Sequence, residues 1–231
     1  MGVNDQKTHK IWKYFLVLGL ILLLGFIFAC LVYIFQLIKT GQWQEGQELS
    51  NRQSSEEKLS ESTLKQMTKD SYWIGAAKPK VTIIEFADFS CSMCGNSFPN
   101  IREISSKYKN DVKIIFKDFP VVSSYSTDLA LAANCAGEQG LFWPMHDKLF
   151  INQGISKETE LVEMARQIGA STTRFTTCFE KKKYATQVNQ DYEDGKTLGV
   201  SGTPTWFVNG TKIEGDIPRA TFMNIIENLL K

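Results

Sequence analysis

The stretch Val81-Thr82-Ile83-Ile84-Glu85-Phe86-Ala87-Asp88-Phe89-Ser90-Cys91-Ser92-Met93-Cys94 decides how the rest of this chain is read. Val81 to Phe86 is a short β-branched run, the pattern of a buried strand. Asp88, Phe89 and Ser90 break it. From Asn96 to Tyr108 the residues Phe98, Ile101, Ile104 and Tyr108 fall on one side of a helix, and Val112 to Phe116 is a second β run. A Cys-x-x-Cys therefore sits where a strand hands over to a helix, with Cys91 near the helix N-terminus. Unpaired backbone N–H groups and the positive helix end favour an anion there. A cysteine in that place has a lowered pKa and a larger thiolate fraction, and thiolate is the species that attacks a disulfide. Cys91 is the candidate nucleophile. Cys94, one turn on, is the candidate resolving cysteine. Zinc is the main competing use of this spacing, but a structural zinc wants four ligands. The only others beyond the apolar N-terminal run are Cys135, Cys178 and His146, so no metal is expected. A purely structural disulfide in a four-residue loop would gain little.

At the far end, Val200 to Val208 is another β run, with Pro204 inside it. Asn209-Gly210 follows, the preferred pair for a tight type I′ hairpin turn, and Thr211 to Glu214 supplies the return strand. Asn209-Gly210-Thr211 also matches a glycosylation sequon, but the turn accounts for it. Ala220 to Leu230 reads as a closing amphipathic helix. Cys94 and Pro204 lie 110 residues apart, so something is inserted between the second and third core strands. Residues 124–198 read as successive helices: Ser126–Gln139, Leu141–Ile151, Lys157–Ile168, Thr172–Lys182 and Tyr184–Leu198. Gly140, Gly154 and Gly169 mark breaks, and Ser156 and Ser171 are the expected N-caps.

In this order and spacing the motifs resemble the thioredoxin fold and, within it, the DsbA-like family of extracytoplasmic thiol–disulfide oxidoreductases. Glu85 to Cys94 resembles that family's active-site segment. Phe142-Trp143-Pro144-Met145-His146-Asp147 resembles a stretch of its helical insertion, and Gly202-Thr203-Pro204 its cis-proline loop. The resemblance covers about residues 72–231. It implies an α/β thioredoxin fold with a helical insertion at about 120–199. It implies a cis peptide bond before Pro204, with Thr203 and Pro204 facing the cysteine pair and pairing with substrate backbone. Glu85 matches the family's buried acid, which moves a proton during exchange. The redox-active disulfide Cys91–Cys94 serves in place of any cofactor. Many family members place Pro and His between the cysteines; here they are Ser92 and Met93. Without a cation there, thiolate stabilisation falls to the helix end and backbone N–H groups.

The 231 residues carry 26 Lys+Arg against 25 Asp+Glu. Nothing in that balance suggests a nucleic-acid binder. It is uneven, however: residues 1–39 carry a net +3 and the remainder a net −2. Tyr14 to Phe35 holds no charge over 22 residues, which as a helix reaches roughly 33 Å and would cross a hydrocarbon core of about 30 Å. Lys7, Lys10 and Lys13 precede it, and only Lys39 follows closely. The expectation is a cytoplasmic tail at 1–13, a single-pass anchor at 14–38 in a bacterial cell membrane, and an extracytoplasmic body. A cleaved signal peptide and a lipobox ending at Cys30 are the alternatives. Residues 39–70 are polar and read as a linker holding the 71–231 domain off the membrane. Within them, Glu56 to Met67 could form a solvated helix capped by Ser54 or Ser55.

Outside the cytoplasm, Cys135 and Cys178 are expected to form a structural bridge, as some DsbA-like relatives carry a second disulfide here. His146, Phe142 and Trp143 are expected to be packing residues. The functional expectation is a monomeric enzyme that introduces disulfides into client proteins bearing thiols. A quinone-linked integral-membrane oxidase would then reoxidise it. A reductase or isomerase using the same site is the alternative. A non-catalytic adaptor that binds peptide at the Pro204 loop is a third reading.

Overall fold

A computed structural model describes Leu20, residues 22–36 and residues 60–231. The chain divides into two units, residues 1–57 and 58–231. In the first, residues 22–36 are helical (α1), with Leu22, Phe26, Phe28 and Phe35 exposed. Among the described residues no helix is long and apolar enough to cross a membrane. The expected tail at 1–13, residues 14–19, 21, 37 and 38 of the expected anchor, and residues 39–59 of the expected linker lie outside the described residues.

The second unit opens with α2 (Glu61–Met67), capped by Ser60, whose Oγ accepts from Thr63 N at 3.2 Å. The cap is thus Ser60 rather than Ser54 or Ser55, which also lie outside the described residues. Although α2 belongs to the polar stretch, Leu64 packs against the Ile84, Phe86 and Phe207 cluster.

Five strands form that sheet: β1 (Trp73–Gly75), β2 (Val81–Ala87), β3 (Val112–Asp118), β4 (Thr205–Val208) and β5 (Thr211–Glu214), in the order β1-β3-β2-β4-β5. The central pair β2 and β3 is parallel, with Glu85 opposite Phe116 and Ala87 opposite Asp118. Both are buried along nearly their whole length, hence the unbroken β-branched runs. Helix α3 (Ser92–Lys107) connects them. It begins four residues before the apolar periodicity does, because Cys91 caps it. β4 runs antiparallel to β2 and starts at Thr205. Residues 200–204, read as strand, form a loop instead; Pro204 has no N–H to give a ladder. Asn209 (φ 47°) and Gly210 (φ 86°) make the left-handed turn into β5. The Asn209 Oδ1 also accepts from Thr82 N at 2.8 Å, tying the hairpin to β2. β1, only three residues long, was not legible as a strand.

The insertion comprises α4 (Ser126–Gly137), α5 (Phe142–Ile151), α6 (Glu158–Gln167), α7 (Thr172–Glu180) and α8 (Ala185–Thr197). Ser171 caps α7 as expected, accepting from Arg174 N at 3.4 Å. At α6 the cap is Lys157, not Ser156, and Glu160 takes up the Lys157 N–H at 3.2 Å. Helix α9 (Arg219–Leu230) closes the chain against α3 and the sheet through Phe222, Met223 and Ile226. A separate apolar cluster joins the insertion to the redox turn: Phe89, Cys91, Cys94 and Phe116 pack with Phe142, Met145, Leu149 and Phe150.

Candidate active site

Residues 88–91 form a turn closed by Cys91 N donating to Asp88 O at 2.9 Å. Asp88 is buried, and its carboxylate takes three backbone donors: Ser90 N at 2.8 Å, and Val121 N and Val122 N at 2.7 Å each. One side chain thus fixes both the redox turn and the loop after β3. Gln153, just beyond α5, donates from Nε2 to Phe89 O at 2.9 Å and to Cys91 O at 2.8 Å.

Cys91 is the N-cap of α3, its Sγ accepting from Cys94 N at 3.4 Å. The Cys91 thiol also lies 3.2 Å from Thr203 O, and the Thr203–Pro204 bond is cis. The structure therefore brings Cys91, Cys94, Thr203 and Pro204 together, both cysteines being free and buried. Their acidities diverge. The Cys94 side chain as hydrogen-bond partner and the N–H groups of Cys94 and Met93 outweigh burial and lower the Cys91 thiol to about 6. Cys94 shifts upward, because burial and its neighbour Cys91 both disfavour a second anion. In the reduced pair Cys91 carries the charge and Cys94 the proton.

Glu85 projects from β2 in the same interior, 1% exposed, with its Oε2 lacking any hydrogen-bond partner. Burial first, then the charge on Cys91, push its pKa up to about 8. A neutral carboxyl near Cys94 can exchange a proton with a thiol sealed from solvent. His146 is 1% exposed, ringed by Phe89, Phe116, Trp143 and Phe150, and held by Asp147 at 2.9 Å. Its packing lowers its pKa. Cys135 on α4 and Cys178 on α7 are disulfide-bonded, with Cα atoms 5.7 Å apart. Among the described residues no cluster of His, Cys, Asp or Glu could hold a metal ion.

Several residues near the site escaped sequence reading. Asp88 and Gln153 carry no motif of their own. Lys117 on β3 is 1% exposed, and its Nζ meets Asp191 at 2.5 Å, Asp194 at 2.9 Å and Met67 O at 2.8 Å. Beside it Asp118 is held by Asn134 at 2.8 Å, while burial and then Asp191 push its carboxyl up to about 8. The signal available was two charges, Lys117 and Asp118, ending an apolar run, with Asp191 and Asp194 three apart on one face of α8.

The thioredoxin family model matches residues 67–228. The chain belongs to the thioredoxin family. Among solved structures, this thioredoxin-family fold is similar to the thiol-disulfide exchange protein alpha-DsbA2 from Wolbachia pipientis, with a TM-score of 0.69 and 19% identity over 78% of this chain and 98% of that one. It is similar to oxidised BdbD from Bacillus subtilis, with a TM-score of 0.62 and 26% identity over 70% of this chain and 94% of that one. A curated relative, the Na(+)/H(+) antiporter NhaA 1 of Salinispora arenicola (strain CNS-205), is 34% identical over 143 residues, covering 61% of this chain and 22% of that protein. The chain thus spans about a fifth of the length of that relative. The family match and the structural neighbours agree on a thioredoxin fold for this chain.

Proposed function

We propose that this protein is a membrane-tethered, extracytoplasmic oxidoreductase that introduces disulfides into client proteins through Cys91 and Cys94. The observation that carries the reading is the seat of Cys91. Its sulfur caps α3, 3.4 Å from Cys94 N, and faces the Thr203–Pro204 loop at 3.2 Å. In the oxidised enzyme a client thiolate attacks Cys91 Sγ, and the bonding electrons leave on Cys94, which takes up a proton with Glu85 as the nearby acid. The client's second thiolate then attacks the client sulfur of the mixed disulfide and releases Cys91 as thiolate. The client loses two electrons and two protons; the cysteine pair gains the electrons and one proton, and the other goes to solvent. Reoxidation of the pair falls to a quinone-linked membrane oxidase. Cys135–Cys178 serves as a structural staple of the insertion.

The surface beside the pair suits an extended client segment. Of the six exposed large apolar side chains between residues 60 and 231, four are Met93, Val121, Val122 and Ile151. Met93 lies between the cysteines, Val121 and Val122 hang from Asp88, and Ile151 precedes Gln153. Segments 89–98, 119–127 and 149–156 contain no Asp, Glu, Lys or Arg. Tethering rests on the uncharged run from Tyr14 to Phe35 and the lysines before it. The antiport named for the curated relative is not carried over to this chain.

The test is to mix oxidised protein with a reduced two-cysteine peptide and follow both redox states. Peptide oxidation should track enzyme reduction and vanish with Cys91→Ala or with Cys94→Ala, neither of which can form the disulfide that accepts the peptide's electrons. The equilibrium potential of the pair decides direction. A value as reducing as thioredoxin's, about −270 mV, would reverse the proposed flow and favour the reductase reading. That reading draws support from Ser92 and Met93, which place no cation beside the thiolate.

A further inference from the structure

Gln153 touches the redox turn but takes no part in the exchange chemistry. It lies in the loop between α5 and α6, outside the strand and helix that carry the cysteines. Both hydrogens of its side-chain amide are used, one on Phe89 O and one on Cys91 O. These carbonyls flank the bond that closes the turn, Cys91 N to Asp88 O. The Cys91 carbonyl also accepts from Gly95 N at 3.1 Å, the first bond of α3. The Gln153 amide therefore sits on the same oxygen that starts the helix capped by Cys91.

A second observation points to the same contact. A methyl group at Gly95 would lie 2.5 Å from Gln153 Oε1 and 2.9 Å from its Cδ. Gly95 is inside the first turn of α3, where glycine costs about 1 kcal/mol relative to alanine. Nothing in the helix itself calls for glycine there. The amide plane lying across this position does.

We propose that Gln153 is a positioning residue that tunes Cys91 through the carbonyls of Phe89 and Cys91, and that Gly95 is glycine in order to admit it. The inference rests on the exchange function proposed above and adds a part for the insertion. An N–H donor on the Cys91 carbonyl offsets the oxygen's partial negative charge, which lies three bonds from the carbon bearing Sγ. It also holds the turn that presents Cys94 N to the sulfur. The titratable groups that bear on Cys91 are Cys94 on α3 and Glu85 on β2. Gln153 adds a neutral dipole from the insertion side, where Ser92 and Met93 supply no cation.

The test uses the full reduced protein and reads the Cys91 thiolate directly, by ultraviolet absorbance and by alkylation rate against pH. Gln153→Glu places a carboxylate against two carbonyls, and Gly95→Ala displaces the amide without removing it. Alkylation well below the native pKa should fall by about threefold to tenfold in Gln153→Glu, the equivalent of up to one pKa unit. It should fall by a smaller factor in Gly95→Ala. Gly95→Ala should also leave the melting temperature unchanged or raised, since alanine is the better helix former. A packing role alone would instead lower the melting temperature and leave the titration in place. In a Gln153→Ala background, Gly95→Ala should add nothing further. A titration within twofold of the parent's in both single variants overturns the proposal, as does a full additional loss in the double variant. If the parent fails to oxidise a client peptide, the exchange function falls while the titration still decides the role of Gln153.

Discussion

Cys91 and Cys94 share one helical turn, and their surroundings push them in opposite directions. Cys91 sits where N–H groups converge and is lowered to about 6; Cys94 is sealed among apolar neighbours and is raised. Linkage follows from the sign. A folded pKa below the unfolded one stabilises the reduced protein fully above the unfolded thiol value. That stabilisation is lost as pH falls through about 6. Reduced parent protein should therefore lose stability relative to Cys91→Ala across the pH window between the two values, as read by denaturant titration. Glu85 has the reverse sign. Its folded pKa is raised to about 8, so the neutral form is favoured, and stability declines as pH rises from the ordinary carboxylate range toward 8. Glu85→Gln should be more stable than the parent at neutral pH by about 1–3 kcal/mol, because the amide needs no proton taken up on folding, at about 1.4 kcal/mol per pKa unit. It should also exchange more slowly by roughly 10²-fold, if it acts as a general acid–base. A variant as fast as the parent would remove Glu85 from the mechanism.

At the scale of elements, the chemistry depends on joints. Lys117 joins β3 to α8 and to the end of α2 through Asp191, Asp194 and the Met67 carbonyl. Removing one partner of a buried ion pair leaves its mate uncompensated. Lys117→Met should cost about 3–5 kcal/mol on that ground, and the double change with Asp191→Asn should recover part of it in a denaturant series. The Cys135–Cys178 bond joins α4 to α7 across a sequence separation of 43. Replacing both cysteines with alanine should lower stability by about 4 kcal/mol by the chain-entropy model while leaving Cys91 reactive. Peptide mapping without reductant should recover the crosslink; two freely alkylatable thiols in the native protein would refute it.

Elements also show why some of the fold was legible and some was not. β2 and β3 are buried on both faces, so each reads as an apolar run. The Asn209-Gly210 turn is local chemistry, and the structure has it with positive φ at both residues. β1 is three residues long and owes its existence to the exposed edge of β3, which no local pattern announces. The start of α3 at Ser92 rather than Asn96 follows from a capping sulfur. Ser156 gave way to Lys157 at α6 because the glutamate three residues on reaches back to the N–H of Lys157.

At the scale of the whole molecule, charge and hydropathy divide the chain. A net +3 head with an uncharged run precedes a net −2 body. If the proposed topology holds, the full chain expressed in bacteria should fractionate with membranes and resist carbonate extraction. Protease added outside the cytoplasmic membrane should remove the body and spare the N-terminal tail. A body protected from external protease would overturn the orientation, and with it the compartment in which the Cys135–Cys178 bond and client oxidation are proposed.

What the sequence by itself determined is what depends on neighbours along the chain. That covers the strand–Cys-x-x-Cys–helix order, the hairpin, the run of helices between the core strands and the uneven charge. Each is set by periodicity, turn chemistry or composition within a short window. Only the tertiary structure decided which distant groups meet. It set Thr203 O against Cys91 and Gln153 over Gly95, tied Val121 and Val122 to Asp88, and surrounded Lys117 with two aspartates. Those contacts join residues from 33 to 112 positions apart along the chain. No local pattern names the distant partner of any of them, and burial, which gives each contact its energetic weight, exists only once the layers have closed.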